Sequence, residues 1–234
     1  MTMRLTGWLV LSLAVGLLMA SCSSDDDNNN VVGPVDPGEP EYTAAELDSM
    51  GWYNFTLGEY TDALLSFQEA LDQQSDLYSS RLGLGWALAH TDEHEEGVAA
   101  FDVLLAAGEL EVDAHAGRAA ATLFIDPQSA LTSAETALGL DADYIFSRRP
   151  SFDYLDLHLI VAEANYYLQN YAESQEKAEF LEPSVGLEAS NLDESDPSTW
   201  VIDTVTYDTY VEALAVLIER ISLLLAADDL PEGP

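Results

Sequence analysis

Sliding the chain against itself by 34 residues brings Gly51-Trp52 onto Gly85-Trp86 and Phe67 onto Phe101. A fixed internal period of this length constrains the fold more than any other feature of the sequence. Each period must be one supersecondary unit that buries its apolar face on the next. Both copies read as two short helices separated by a polar turn, at Leu57-Gly58-Glu59 in the first and Thr91-Asp92-Glu93 in the second. Gly51, Gly85, Ala63 and Gly97 stand where two helices of a unit need to approach closely. Phe67 and Phe101 stand where the gap between units needs filling.

The pattern continues with less regularity. Residues 112–124 read as a third first-helix, and Asp126-Pro127-Gln128-Ser129-Ala130-Leu131 opens its partner, with Pro127 in the first turn, where proline is tolerated. Residues 155–168 and 171–181 form a fourth pair, closed by Glu182-Pro183. Between them, 140–151 reads as an irregular link containing Arg148-Arg149-Pro150. Residues 183–206 are rich in Ser, Asp and Glu, with strand propensity only near Val201 to Val205. A loop of that length is uncommon inside a compact domain, and is either functional or disordered. A last helix is expected over about 207–227, where Val211, Leu214, Ala215, Ile218, Ile221 and Leu225 share one face. It would keep the apolar end of the array dry.

The first two units read Leu47-x2-Met50-Gly51-x2-Asn54…Ala63-x3-Phe67 and Arg81-x2-Leu84-Gly85-x2-Leu88…Gly97-x3-Phe101. They resemble the tetratricopeptide repeat, a 34-residue unit with the pattern W-x2-L-G-x2-Y…A-x3-F…P. The first tryptophan, the tyrosine and the closing proline of that pattern are absent from both copies. The resemblance covers residues 43–182. It implies an all-α, right-handed α-solenoid of about four helical hairpins; the helix over 207–227 then reads as its C-terminal cap and 228–234 as a tail. It also implies that a ligand lies in a concave groove, against the first helix of each unit. The matching positions are Asp48, Trp52 and Phe55 in the first unit, Trp86 and His90 in the second, His115 in the third, and Glu163 and Tyr166 in the fourth. A tryptophan repeated at one position of adjacent units suits an interface anchor. It suits packing between neighbouring helices equally well. Arg118, Arg148 and Arg149 read as partners for local carboxylates, or else for an anionic ligand group.

At the other end, Arg4 is followed by a 16-residue apolar run, from Leu5 to Ala20, that leads into Ser21-Cys22. A membrane span needs about 20 residues, and a short apolar run after a positive start suits a secretory signal. Met19-Ala20-Ser21-Cys22 resembles the lipobox of bacterial lipoproteins. That resemblance implies removal of residues 1–21 and lipidation of Cys22, and several acyl chains together hold a protein stably on a bilayer. Cys22 is the sole cysteine, which excludes an intramolecular disulfide. Ser23 resembles the sorting rule that sends lipoproteins to the outer membrane. Ser24-Asp25-Asp26-Asp27 is also similar to a surface-export signal. The expected address is therefore the periplasmic face of the outer membrane, with the cell surface as the alternative. Residues 22–42, with Pro34, Pro37 and Pro40, read as a flexible, lipid-anchored linker.

Seven basic against 43 acidic side chains give a net charge of −36, which excludes a nucleic-acid partner and an anionic membrane surface. The membrane is then reached through the lipid alone. With 48 % hydrophobic residues the chain can still bury a core. Removing Arg4 with the signal takes the net charge to −37, a density that resembles proteins of salt-loving bacteria. Among enzyme motifs, only His90-Thr91-Asp92-Glu93-His94 matches one, the H-x-x-E-H string of a zinc-hydrolase group. That string needs a continuous helix, and the repeat puts 91–93 in a turn. No cofactor or metal is expected. These features point to a non-catalytic scaffold or binding lipoprotein of the cell envelope, taking a protein or peptide partner in the groove. The alternative is a nutrient- or glycan-capture lipoprotein with Trp52 and Trp86 as stacking platforms. A zinc hydrolase is the remote one.

Overall fold

The computed structural model describes residues 42–228. The signal-like run, Cys22, the linker before Tyr42 and the tail after Asp228 lie outside the described residues. Eight helices come in four consecutive hairpins: α1 (Ala44–Thr56) with α2 (Tyr60–Gln73), α3 (Tyr78–His90) with α4 (His94–Ala107), α5 (Glu111–Thr122) with α6 (Pro127–Leu140), and α7 (Tyr154–Tyr167) with α8 (Tyr171–Leu181). Each helix packs on its sequence neighbours, which makes the chain an all-α helical-repeat array. A ninth helix among the described residues, α9 (Tyr210–Asp228), lies against α7 and α8. Consecutive odd-numbered helices also touch one another, whereas the even-numbered ones do not do so to the same extent. The array therefore curves with α1, α3, α5 and α7 on its inner side.

Local chemistry sets the helix limits. Thr43 and Glu46 form a reciprocal capping box at the start of α1, and Asp153 and Asp156 do so at α7. Asp126 caps α6 with Pro127 at its first position. Within three hairpins the turn needs a left-handed residue, supplied by Gly58 in the first but by Asp92 and Gln169 in two others.

The phenylalanines of the 34-residue period do what their spacing suggests. Phe67 is fully buried, and its ring enters a slot between α1 and α3. A Cβ on Gly51 would lie 2.5 Å from that ring, and one on Gly83 closer still. Phe101 fills the next slot in the same way, between Gly85 and Gly117. Gly97 brings α4 onto α3, where a Cβ would sit 3.1 Å from the Gly85 carbonyl oxygen. A Gly83→Ala exchange is therefore expected to destabilise the protein by about 1–3 kcal/mol in urea melts, the usual range for overpacking a tight core. Gly139, on α6, faces open space. Gly139→Ala is expected to be neutral or to stabilise by up to about 1 kcal/mol through helix propensity. Equal effects at the two positions would refute the slot.

Two segments left irregular by sequence are built. Residues 183–206 fold into a 3-10 turn, Asx turns in which the Asp193 and Asp196 carboxylates accept from the Ser195 and Ser198 amides, and a two-stranded antiparallel ribbon, β1 (Val201–Ile202) with β2 (Val205–Thr206). Glu182, 1 % exposed, accepts from the Ser190 amide at 2.9 Å and holds the segment to the end of α8. With Leu192 and Ile202 this segment helps α9 close a second apolar cluster over Leu159, Ala178 and Leu181. The other segment is the connection from α6 to α7. It is 13 residues long, where the other connections between successive helices of the four hairpins take three or four.

Candidate functional site

The α6–α7 connection folds back over the inner face. Its backbone makes a small hairpin: the Phe146 amide donates to the Phe152 carbonyl at 2.9 Å, and the Tyr154 amide to the Tyr144 carbonyl at 2.8 Å. Side chains alternate, as extended backbone requires. Tyr144 and Phe146 point inward and are buried, while Ile145 between them is exposed. Arg148, Arg149 and Pro150 lie at the turn.

The inward side chains meet the residues that the repeat pattern assigns to the groove. Phe146 stacks on Trp86, with centroids 4.9 Å apart, and meets Trp52 edge-on at 6.1 Å. Phe152 approaches Trp86 edge-on at 4.9 Å. The Arg148 guanidinium lies 4.8 Å over the Trp52 ring, a cation–π contact. The Tyr144 hydroxyl donates to Asp113 on α5 at 2.8 Å. Arg149 Nη1 lies 3.1 Å from His90 Nε2. A guanidinium can only donate, so Nε2 accepts and the proton of the neutral imidazole sits on Nδ1. The His90 ring stacks on Tyr60 at 4.3 Å.

Electrostatics follow from this burial. Desolvation, and then the Arg149 charge, hold the His90 pKa down at about 4. Burial raises that of Asp113, opposed by the Tyr144 hydrogen bond and the Arg148 charge. Burial and the neighbouring Asp113 push the Tyr144 phenol well above the ordinary tyrosine range.

Trp52, Phe55 and Trp86, expected as accessible groove contacts, are 4 %, 3 % and 4 % exposed. The two tryptophans are roofed by the chain's own hairpin and Phe55 is enclosed by Trp52, Tyr60 and His90, so none of the three offers an open ring face in this structure. Asp48 is committed as well, accepting from the Ser79 and Ser80 hydroxyls at 3.0 and 2.7 Å, with Trp52 Nε1 donating to Ser79. His90 lies under Arg149. His115, Glu163 and Tyr166 belong to other surroundings. His115 is half-buried on α5, its pKa lowered by burial and Arg118 against the opposing charge of Glu111. Burial pushes the Glu163 carboxyl on α7 up to about 7. Tyr166 packs against the second apolar cluster and donates weakly to the Val211 carbonyl on α9. Arg118 takes the local role, bonded to Asp102 on α4 and Ser133 on α6, both at 2.8 Å.

The H-x-x-E-H string spans a helix break. His90 closes α3, His94 opens α4, and Asp92 between them is left-handed. Among the described residues no group of three or more His, Cys, Asp or Glu side chains is placed to hold a metal ion. Sequence reasoning missed Tyr144, Phe146, Phe152 and Asp113 altogether. The available signal was the alternation Tyr144-x-Phe146, with Phe152, in a link too long to be a simple turn.

Because burial and the Arg149 charge hold the folded His90 imidazole down at about 4 from its ordinary 6.5, the unfolded chain takes up a proton between pH 6.5 and 4 that the folded chain refuses. Its contribution to stability is thus complete above pH 6.5 and declines as pH falls toward 4. The raised carboxyls of Glu163 and Asp113 act with the opposite sign. The expectation is therefore placed on a difference. Relative to a His90→Gln variant, the parent should lose on the order of 3 kcal/mol of unfolding free energy between pH 7 and pH 4. Parallel pH curves for the two proteins would contradict the buried neutral imidazole.

No family model, curated protein or solved structure matches the chain, so only its own geometry speaks for what the inner face holds.

Proposed function

We propose that this chain is a non-catalytic binding module of a bacterial envelope, held to the membrane by a lipid on Cys22. It recognises a stretch of polypeptide on the inner face of a tetratricopeptide-like array. One observation carries this reading: the inner face holds an extended segment through aromatic stacking on Trp86, a cation–π contact on Trp52 and hydrogen bonds at Asp113 and His90. Aromatic and arginine contacts of this kind dominate protein interfaces. Glycan capture on Trp52 and Trp86 is the weaker reading, because a sugar needs a free ring face and both indoles are covered.

The test uses the full-length protein in detergent-solubilised envelopes, with a photo-crosslinking residue at position 48 or 115. A polypeptide recovered in stoichiometric amount and crosslinked from these positions is the expected result. Recovery of the protein alone from both would overturn the binding assignment. The anchor is tested separately. Cys22→Ser is expected to release the protein from the membrane fraction or leave an unprocessed precursor. A Cys22→Ser protein that is processed and sediments with membranes as the parent does would refute the lipid.

A further inference from the structure

We propose that the 141–153 hairpin is an exchangeable occupant of the inner face. Its replacement would be an extended, basic segment of another polypeptide carrying two aromatic side chains. This deepens the proposed binding function and rests on it.

Three observations support the exchange. The first is length: the α6–α7 connection spends 13 residues where three or four suffice elsewhere in the array, so the additional chain serves the groove and not the junction. The second is the way the hairpin is held. Between residues 144 and 152 its backbone hydrogen bonds close on themselves, Phe146 with Phe152 and Arg149 with both Phe146 and Phe152, and one more reaches the first residue of α7, where the Tyr154 amide donates to the Tyr144 carbonyl. Its links to α1, α3 and α5 are made by side chains: Phe146, Phe152, Arg148, Arg149 and Tyr144. Residues 144–152 can therefore leave with the Asp153 cap of α7 and the end of α6 in place, at the cost of the Tyr154–Tyr144 bond. The third is charge. The described residues hold six basic side chains, at Arg81, Arg118, Arg148, Arg149, Lys177 and Arg220, and two of the six stand side by side at the hairpin's turn. In a chain of net charge −36 that is where the fold gathers positive charge, against Asp113, Trp52 and His90.

The same contacts dictate what can take its place. An empty groove would wet Tyr144, Phe146 and Phe152 together with the faces of Trp52 and Trp86, so simple opening is strongly disfavoured. The hairpin leaves only for a segment that restores aromatic packing on both indoles and brings cations to Trp52 and Asp113. An acidic segment meets the charge of the whole array and is refused. The Arg148 contact lies over an aromatic face, where a planar guanidinium does better than an ammonium. The occupant is thus an arginine-bearing strand and not merely a basic one.

The probe is a labelled synthetic peptide of residues 142–153, titrated into the full-length protein in detergent. Hydrogen exchange by mass spectrometry reads the chain's own 144–152 segment apart from the probe. At saturating peptide, that segment is expected to exchange at least tenfold faster, while α1, α3 and α5 keep their protection. A peptide carrying Glu in place of Arg148 and Arg149 is expected to bind at least tenfold more weakly. A Phe146→Ala chain, with its resident hairpin loosened, is expected to bind the parent peptide at least tenfold more tightly than the parent chain does. Unchanged protection of 144–152 at millimolar peptide, or equal binding of the Glu peptide, overturns the proposal. If Phe146→Ala fails to fold, the parent-chain measurements decide alone. A failed exchange with an envelope partner still crosslinked at position 48 or 115 removes this inference only. A successful exchange with no envelope partner removes the proposed function and leaves the exchange standing.

Discussion

Ending the chain at Asp208 is expected to abolish the cooperative melt of the fourth hairpin and to lower the melting temperature of the whole array sharply. Helix α9 places Tyr210, Ala213, Leu214, Leu217, Ile218 and Ile221 against Leu159, Ala178 and Leu181. At about 1.5–3 kcal/mol for each large apolar side chain buried, the loss rivals the 5–15 kcal/mol that holds a typical domain folded. The ion pair of Arg220 with Asp203, which ties α9 to the 183–206 segment, goes with it. In a repeat array each unit depends on its neighbours, so damage at one end is felt first by α7 and α8. Circular-dichroism melts and hydrogen exchange on α7 and α8 would check this. Parent-like melting of the shortened chain would show that α9 is not the cap.

Folding stability is expected to rise markedly with sodium chloride up to molar concentrations. The net charge is −36, carboxylates stand in every hairpin, and self-repulsion at that density opposes the compact state. Among the described residues favourable pairing is sparse. Arg118 meets Asp102 and Arg220 meets Asp203, while Lys177 lies 3.9 Å from its sequence neighbour Glu176. Exposed pairs of this kind contribute about 1 kcal/mol or less each. Salt shortens the Debye length from about 10 Å at 0.1 M to about 3 Å at 1 M, which removes most repulsion between hairpins. Melts in low, intermediate and molar salt would measure the effect. A neutral osmolyte serves as control, since excluded cosolutes also favour burial. A flat melting temperature across the series would show that the carboxylates are already well separated, and would remove the resemblance to salt-adapted proteins.

The helices were legible in the sequence because their signals are local. The 34-residue shift finds Phe67 and Phe101 and places the turns at 57–59 and 91–93, where α1 and α3 end in the structure. Gly83 and Gly117 also stand 34 apart, and each belongs to a slot formed with the preceding unit's phenylalanine and not with its own. The inner face was less legible. Helical register puts Trp52, Trp86 and His90 on it, but register cannot say what lies on top. That is decided by pairings such as Tyr144 with Asp113 and Arg149 with His90, which are 31 and 59 residues apart in sequence. A repeat pattern carries no record of contacts outside its own period. The same blindness left Trp52 balanced between anchor and core. It is packing for Phe67 on one side and a platform for Arg148 on another.

The hairpin also sets an order of events when the chain is made. Units of a helical array need only their neighbours, so folding can begin with the first of them made and spread from there. Here Trp52 and Trp86 take the cover on their inner side from Phe146, Arg148 and Phe152, all made after the first two units. Closing it joins residues nearly a hundred positions apart, a slow class of contact because the intervening loop entropy is lost first. If the first two units fold before residue 152 is made, their inner surface stays uncovered until it arrives. Whatever escorts this chain during its biogenesis then meets that surface before the hairpin does.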